Sequence, residues 1–100
     1  MTVADSEALR STEIELEGDI DVTNAADIGD HLCQLASTHP AVVVVCSRVT
    51  FVESRGLAMM ARVQRFADES GCQLTWREFP LHVHRTLHTS GLDDYLRIEA

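Results

Sequence analysis

The stretch Ala41-Val42-Val43-Val44-Val45-Cys46-Ser47-Arg48-Val49-Thr50-Phe51-Val52-Glu53-Ser54-Arg55-Gly56-Leu57 decides the fold. Ala41 to Cys46 is a continuous, largely β-branched apolar run. Its lack of alternation marks a strand covered on both faces, as at the centre of an α/β sheet. Ser47-Arg48 is expected to begin a loop, with Val49, Phe51 and Val52 packing under it. Ser54 then stands as the N-cap of a long helix reaching about Ser70. Leu57, Met60, Val63 and Ala67 give that helix its apolar stripe, and Gly71 is its C-cap.

Upstream, Ser11 to Glu17 alternates, with Ile14 and Leu16 on one face and Glu13, Glu15 and Glu17 on the other. That pattern is a half-buried strand with an acidic outer face. Gly18-Asp19-Ile20-Asp21 breaks it. Thr23 or Asn24 is a suitable N-cap for a helix carrying Ile28, Leu32 and Leu35, with Ala25 and Ala36, and ending near His39 before Pro40. The first ten residues are weakly patterned and fit a frayed edge strand.

Downstream, Gln73 to Phe79 reads as a strand stopped by Pro80. Leu81 to Thr89 reads as a shorter helix ended by Gly91, and Tyr95 to Ile98 as a last edge strand. Strands and helices alternate at these lengths, so the class is α/β with a largely parallel or mixed sheet and right-handed crossovers. Without repeats or linkers, residues 1–100 form a single domain.

The chain has 100 residues, 45% of them hydrophobic, and a net charge of −8. Phosphate contacts need clustered cations, so nucleic acid is disfavoured as a direct partner, and so is an anionic membrane surface. The first half holds nine acids against two arginines, the second seven against six, and there is no lysine. No apolar stretch approaches the ~18 residues of a membrane span, so no membrane insertion is expected. Met1 to Arg10 lacks the apolar core of a signal peptide, which points to a cytoplasmic location. Cys33, Cys46 and Cys72 lack CxxC spacing and read as buried, reduced thiols.

In open α/β sheets, sites gather beyond the carboxyl ends of the strands. The loop from Ser47 to Glu53 lies there. A helix N-terminus at Ser54 offers free N–H groups to an anion, so a phosphate on Ser54 would meet those donors and Arg55. Cys46 reads as an inert buried thiol rather than a nucleophile. His84 and His88 stand at i and i+4, but no acid is placed among them as in HExxH, and no metal or other cofactor is expected. Arg55, Arg62 and Arg65 lie roughly along one side of the long helix, either as a solvated face or as a docking stripe for an acidic partner.

Residues 42–57 resemble the central signature of STAS domains, in which a hydrophobic strand and a short turn precede Phe-x-Asp-Ser-Ser-Gly-Leu at the start of a helix. Gly18-Asp19-Ile20-Asp21 is similar to the family's Gly-Glu-Leu-Asp turn. Val83-His84-Arg85 through Ser90-Gly91-Leu92 is similar to its last helix and terminal Ser-Gly-Leu. The resemblance spans about residues 11–98. It implies a four- or five-stranded mixed sheet with helices mainly on one face, and no catalysis by the domain itself.

The resemblance further implies an anti-sigma factor antagonist of bacterial type. Such a domain binds an anti-sigma factor that is also a serine kinase, and so regulates sigma-factor-dependent transcription. Carried over by position, Ser54 is the phosphoacceptor. The partner-binding set is Asp21, Thr23, Glu53, Ser54, Arg55, Gly56, Met59 and Arg62, with Gly56 allowing close backbone approach. Three positions depart from the family pattern: Val45 replaces an Asp, Glu53 replaces an Asp, and Arg55 replaces a small residue. The alternatives are an accessory subunit of a lipid or anion transporter, bound to its ATPase partner, and a small hydrolase or thiol enzyme using Ser54 or Cys46.

Overall fold

A computed structural model describes residues 2–6 and 11–99 of the chain. Nine elements follow in order: β1 (Thr2–Ser6), β2 (Ser11–Ile20), α1 (Ala25–Thr38), β3 (Ala41–Val52), α2 (Ser54–Ser70), β4 (Gln73–Arg77), α3 (Leu81–Ser90), α4 (Leu92–Tyr95) and β5 (Ile98–Glu99). They build one five-stranded sheet in the order β1-β2-β3-β4-β5. β1 pairs antiparallel with β2 at one edge, and every other pairing is parallel. The expected edge strand is therefore present over Thr2–Ser6, while residues 7–10 lie outside the described residues.

Each parallel strand sits beside the strand before it, so right-handed crossovers put all the helices on one face. The burial pattern agrees. Ile14, Leu16, Val42, Val44, Cys46, Leu74 and Trp76 face the helices and are buried, whereas Glu13, Glu17 and Gln73 on the opposite face are exposed. The central run is thus covered by helices on one side only. On the other, Val45 is shielded between its register neighbours Glu15 and Arg77.

β3 is twice the length read from the sequence, and Ser47-Arg48 belongs to the strand rather than to a loop. Two irregularities explain the difference. Between Glu15 and Glu17 the partner register advances from Val45 to Arg48, and between Gly18 and Asp19 it advances from Val49 to Phe51. Each step gives β3 one extra residue, which is a β-bulge. Burial therefore falls on Cys46, Val49 and Val52, every third residue, and no longer reads as a strand. Phe51, expected under a loop, is 51% exposed. Gly18 adopts φ 81°, which a glycine tolerates, and keeps β2 running to Ile20.

α2 spans Ser54–Ser70 as expected and ends on Gly71 at φ 77°. Its buried face includes Met60, Val63, Gln64 and Ala67. Gln64 is 1% exposed and satisfied on both ends of its amide. Its Oε1 accepts from Trp76 Nε1 at 2.9 Å and from the Arg97 backbone N–H at 3.0 Å, and its Nε2 donates to Asp68 Oδ1 at 3.1 Å and the Leu74 carbonyl at 3.5 Å. This one side chain pins α2 to β4 and to the chain entering β5.

β4 stops at Arg77, two residues earlier than expected, because Glu78 turns the chain with φ 62°. Beyond Gly91, residues 92–95 form the short helix α4, and the last strand is only Ile98–Glu99. No helix among the described residues is long and apolar enough to cross a membrane.

Candidate functional site

The carboxyl ends of β2 and β3 bring two turns together. The first, Asp21 to Asn24, is closed by its own side chains. Asp21 Oδ1 accepts from the Thr23 backbone N–H at 2.9 Å and from the Thr23 hydroxyl. Asn24 Oδ1 accepts from the Asp21 N–H at 2.9 Å, and Asn24 Nδ2 donates to the Asp19 carbonyl at 2.8 Å. Asn24 occupies the N-cap position of α1, but its side chain is used in this turn and caps no helix N–H. The Thr23 hydroxyl and amide stabilise the ionised Asp21 carboxylate and hold it below the usual range.

The second turn is tied to the first by a backbone bond, the Glu53 N–H donating to the Ile20 carbonyl at 2.9 Å. Glu53, with φ −84° and ψ 174°, is the N-cap of α2, and it makes no side-chain cap bond. Ser54 is therefore the first helical residue and not the cap expected from its position before the apolar stripe. It is exposed, and no hydrogen bond engages its hydroxyl among the described residues. The backbone N–H groups of Ser54, Arg55 and Gly56 open the helix, where intrahelical acceptors are lacking.

Of the residues expected to meet a partner, Asp21, Thr23, Glu53, Ser54, Arg55 and Arg62 reach the surface, while Gly56 and Met59 are buried. A Cβ on Gly56 would lie 2.7 Å from Val52 Cγ1 and 2.8 Å from Ile20 Cγ2. The glycine thus serves the seating of α2 on the strand ends, whatever meets the outer surface. Met59 packs toward Gly29 of α1, and a Cβ there would lie 2.8 Å from Met59 Cγ and 2.3 Å from Arg62 Nη2. This lack of a side chain lets the Arg62 guanidinium cross α1 to reach Asp30 at 3.4 Å.

An open groove of about 470 Å³ lies between α1 and α2, lined by Val22, Ala25, Ala26, Asp30, Arg55, Ala58, Met59 and Arg62. Arg65 does not line it and pairs with Glu69 one turn on. The sequence reading missed Val22, 62% exposed on the lip of this groove. It also missed the third support of the site. The Thr50 hydroxyl donates to Asp19 Oδ1, and His82 Nε2 lies 2.6 Å from the Thr50 carbonyl, which joins α3 to the end of β3. Thr50 is the extra residue of the second bulge and Asp19 the β2 residue beside it, so no periodicity betrays them.

Burial pushes the Cys46 thiol up to about 12, so no thiolate forms there near neutrality. Cys72 is buried too, but Cys33 is only half-buried, unlike the expectation for all three. No histidine among the described residues hydrogen-bonds Ser54. His88 Nδ1 is engaged with Asp93 Oδ2 at 2.7 Å. No three His, Cys, Asp or Glu side chains among the described residues converge as metal ligands.

A family model described as "Mlab, STAS domain" matches residues 3–98. No curated protein sequence matches the chain significantly. Solved structures of similar fold include the anti-sigma factor antagonist from Mycobacterium paratuberculosis, at 23% identity and TM-score 0.77, covering 97% of this chain and 81% of that one. The unphosphorylated anti-sigma factor antagonist SpoIIAA shows 14% identity and TM-score 0.75, covering 96% and 85%. A sulfate transporter family protein from Wolinella succinogenes shows 18% identity and TM-score 0.78, covering 94% and 84%. At these identities the shared property is the fold.

Proposed function

Since this chain belongs to the STAS domain family, we propose that it is an anti-sigma factor antagonist. It binds an anti-sigma factor of serine kinase-type fold and thereby regulates sigma-factor-dependent transcription. The binding face is the pair of tied turns at Asp21–Thr23 and Glu53–Arg55, extended along α2 to Arg62. Ser54 is its phosphoacceptor. The observation that carries this reading is the exposed, unengaged Ser54 hydroxyl on the first residue of α2, held beside the Asp21 turn by the Glu53–Ile20 backbone bond.

The domain supplies a surface and a hydroxyl, and the partner supplies the catalysis. Ser54 Oγ forms a bond to the γ-phosphorus of ATP held by the partner, ADP departs, and the hydroxyl proton passes to a base of the partner. The added phosphate brings about −1.5 to −2 of charge. The free N–H groups of α2 and the Arg55 guanidinium receive it. The same charge, placed within a desolvated contact and near Asp21 and Glu53, opposes binding by like-charge repulsion.

Calorimetric titration of the anti-sigma factor encoded in the same genome tests this reading. Ser54→Ala is expected to bind like the wild type, and Ser54→Asp at least tenfold more weakly, about 1.4 kcal/mol. Equal affinity of the wild type and Ser54→Asp would overturn the switch. A wild-type chain that binds no anti-sigma factor and instead co-purifies with a transporter ATPase subunit would replace the reading with the accessory-subunit one.

A further inference from the structure

The charge on α2 is distributed against the trend of the chain. In a protein of net charge −8, residues 54–67 of this helix hold Arg55, Arg62 and Arg65 and no acid. Two of the three, Arg55 and Arg62, stand on the groove between α1 and α2. They are seven residues apart, two turns of one helix face, or about 10 Å along the axis. Arg65, off the groove, is already paired with Glu69. Arg55 has no ion-pair or hydrogen-bond partner among the described residues, and Arg62 holds Asp30 only at 3.4 Å with both side chains largely exposed. The N-terminus of α2 adds its partial positive charge at the Arg55 end.

Apart from Asp30, the groove between the two cations is small-walled and apolar. Ala25, Ala26 and Ala58 form its sides, Met59 its floor, and Val22 stands exposed on its lip. Alanine walls on two adjacent helices leave room for a third helix packed along them, at the usual 8–10 Å separation. A flat lipid surface would not fill such a trough between two helices.

We propose that this groove seats an amphipathic, acidic α-helix of the protein partner, with two carboxylates seven residues apart on Arg55 and Arg62 and an apolar side chain between them on Ala25, Ala26, Ala58 and Met59. The proposal rests on the reading that this face meets a protein partner. It adds the chemistry that partner must present, and makes Arg55 and Arg62 the determinants of partner choice. Arg–carboxylate pairs at a docking face set register and exclude partners of the wrong sign more than they add raw affinity.

The test needs no knowledge of the natural partner. The probe is a side-chain-bridged helical peptide of about 15 residues, with two Glu seven positions apart and Leu between them. It is titrated into the full chain while backbone amide shifts are followed by NMR. Saturable shifts at Val22, Ala25, Ala26 and Ala58, with a Kd at or below about 1 mM, are expected. The shifts should weaken at least tenfold when both Glu become Gln, or with Arg55→Gln/Arg62→Gln in the protein. Arg65→Gln should leave them unchanged, and circular dichroism checks that each variant is folded. Absent shifts, shifts indifferent to both Gln exchanges, or stronger perturbation of the same residues by phosphatidylglycerol vesicles would overturn the proposal. If the anti-sigma factor binds the wild type and Arg55→Glu/Arg62→Glu equally, the groove proposal fails while the functional reading stands. If the peptide seats as described but no anti-sigma factor binds, the functional reading fails alone.

Discussion

Replacing Gln64 by leucine keeps the approximate bulk of the side chain, one bond shorter, and removes every polar contact it makes. Trp76 Nε1–H, buried with its ring fully inaccessible, loses its acceptor at 2.9 Å, and the part-buried Arg97 N–H loses one at 3.0 Å. A stranded buried donor costs about 1–3 kcal/mol, so the two together cost about 2–6 kcal/mol. The leucine recovers about 1–2 kcal/mol by burying a more apolar side chain. The Asp68 and Leu74 contacts, one to a solvent-reached carboxylate and one at 3.5 Å, add little. The net loss expected is about 1–4 kcal/mol, a large share of the ~5–15 kcal/mol that holds an ordinary domain.

Trp76 is the only tryptophan in the chain and serves as the reporter. Urea unfolding followed by its emission, with circular dichroism as a second probe, should show the midpoint lowered by about 1–3 M at unchanged slope. The melting temperature should fall by roughly 5–30 °C. A loss below about 0.5 kcal/mol would show that water satisfies these groups as well as Gln64 does, and would refute its role as the pin between α2 and the β4–β5 edge.

Gly56→Ala gains helix propensity, up to about 1 kcal/mol, but its Cβ meets Val52 Cγ1 at 2.7 Å, Ile20 Cγ2 at 2.8 Å and the Ile20 carbonyl at 3.1 Å. Overpacking of about 1–3 kcal/mol should prevail, seen as a lower melting temperature and a shifted Glu53 amide resonance; a stabilised variant would contradict this packing. His88 and Asp93 shift each other, the hydrogen bond to Asp93 raising His88 above its ordinary 6.5 and the bond to His88 lowering Asp93 below its ordinary 3.8. The raised histidine contributes fully below 6.5 and loses its share as pH rises through its folded value. The lowered aspartate contributes fully above 3.8 and loses its share as pH falls through its own. The pair is therefore fully effective between those two ordinary values. NMR titration should find His88 above 6.5 and returned toward it by Asp93→Asn; an unmoved His88 would contradict the contact.

How legible each part was depends on whether its determinants lie close together in the chain. α2 and its Gly71 cap were readable because a helical stripe and a left-handed glycine are local signals. β3 was cut short because its bulges move burial from every second residue to every third, a pattern produced by pairing with β2. β4 was drawn too long because Glu78, not a glycine, takes the left-handed turn. The mixed sheet with helices on one face was implied by the family resemblance, whereas the unbroken apolar run of β3 pointed to cover on both faces, because Val45 is shielded by its sheet neighbours and not by a helix. Ser54 was placed at the right turn but one step off, since nothing in Glu53-Ser54 announces which residue caps. The shared side of Arg55 and Arg62 could be counted off the helix. The groove between them could not, because it depends on Gly29 meeting Arg62 across two helices.

The bond from the Glu53 N–H to the Ile20 carbonyl has a wider consequence. The serine is carried by one helix, but its address is written in another part of the chain. Where β2 ends, set by the left-handed Gly18 and the second bulge, decides where the α2 N-terminus is anchored. A change confined to the tail of β2 would thus relocate the hydroxyl without touching the helix that bears it, and a partner gripping either turn would feel the other as part of the same rigid handle.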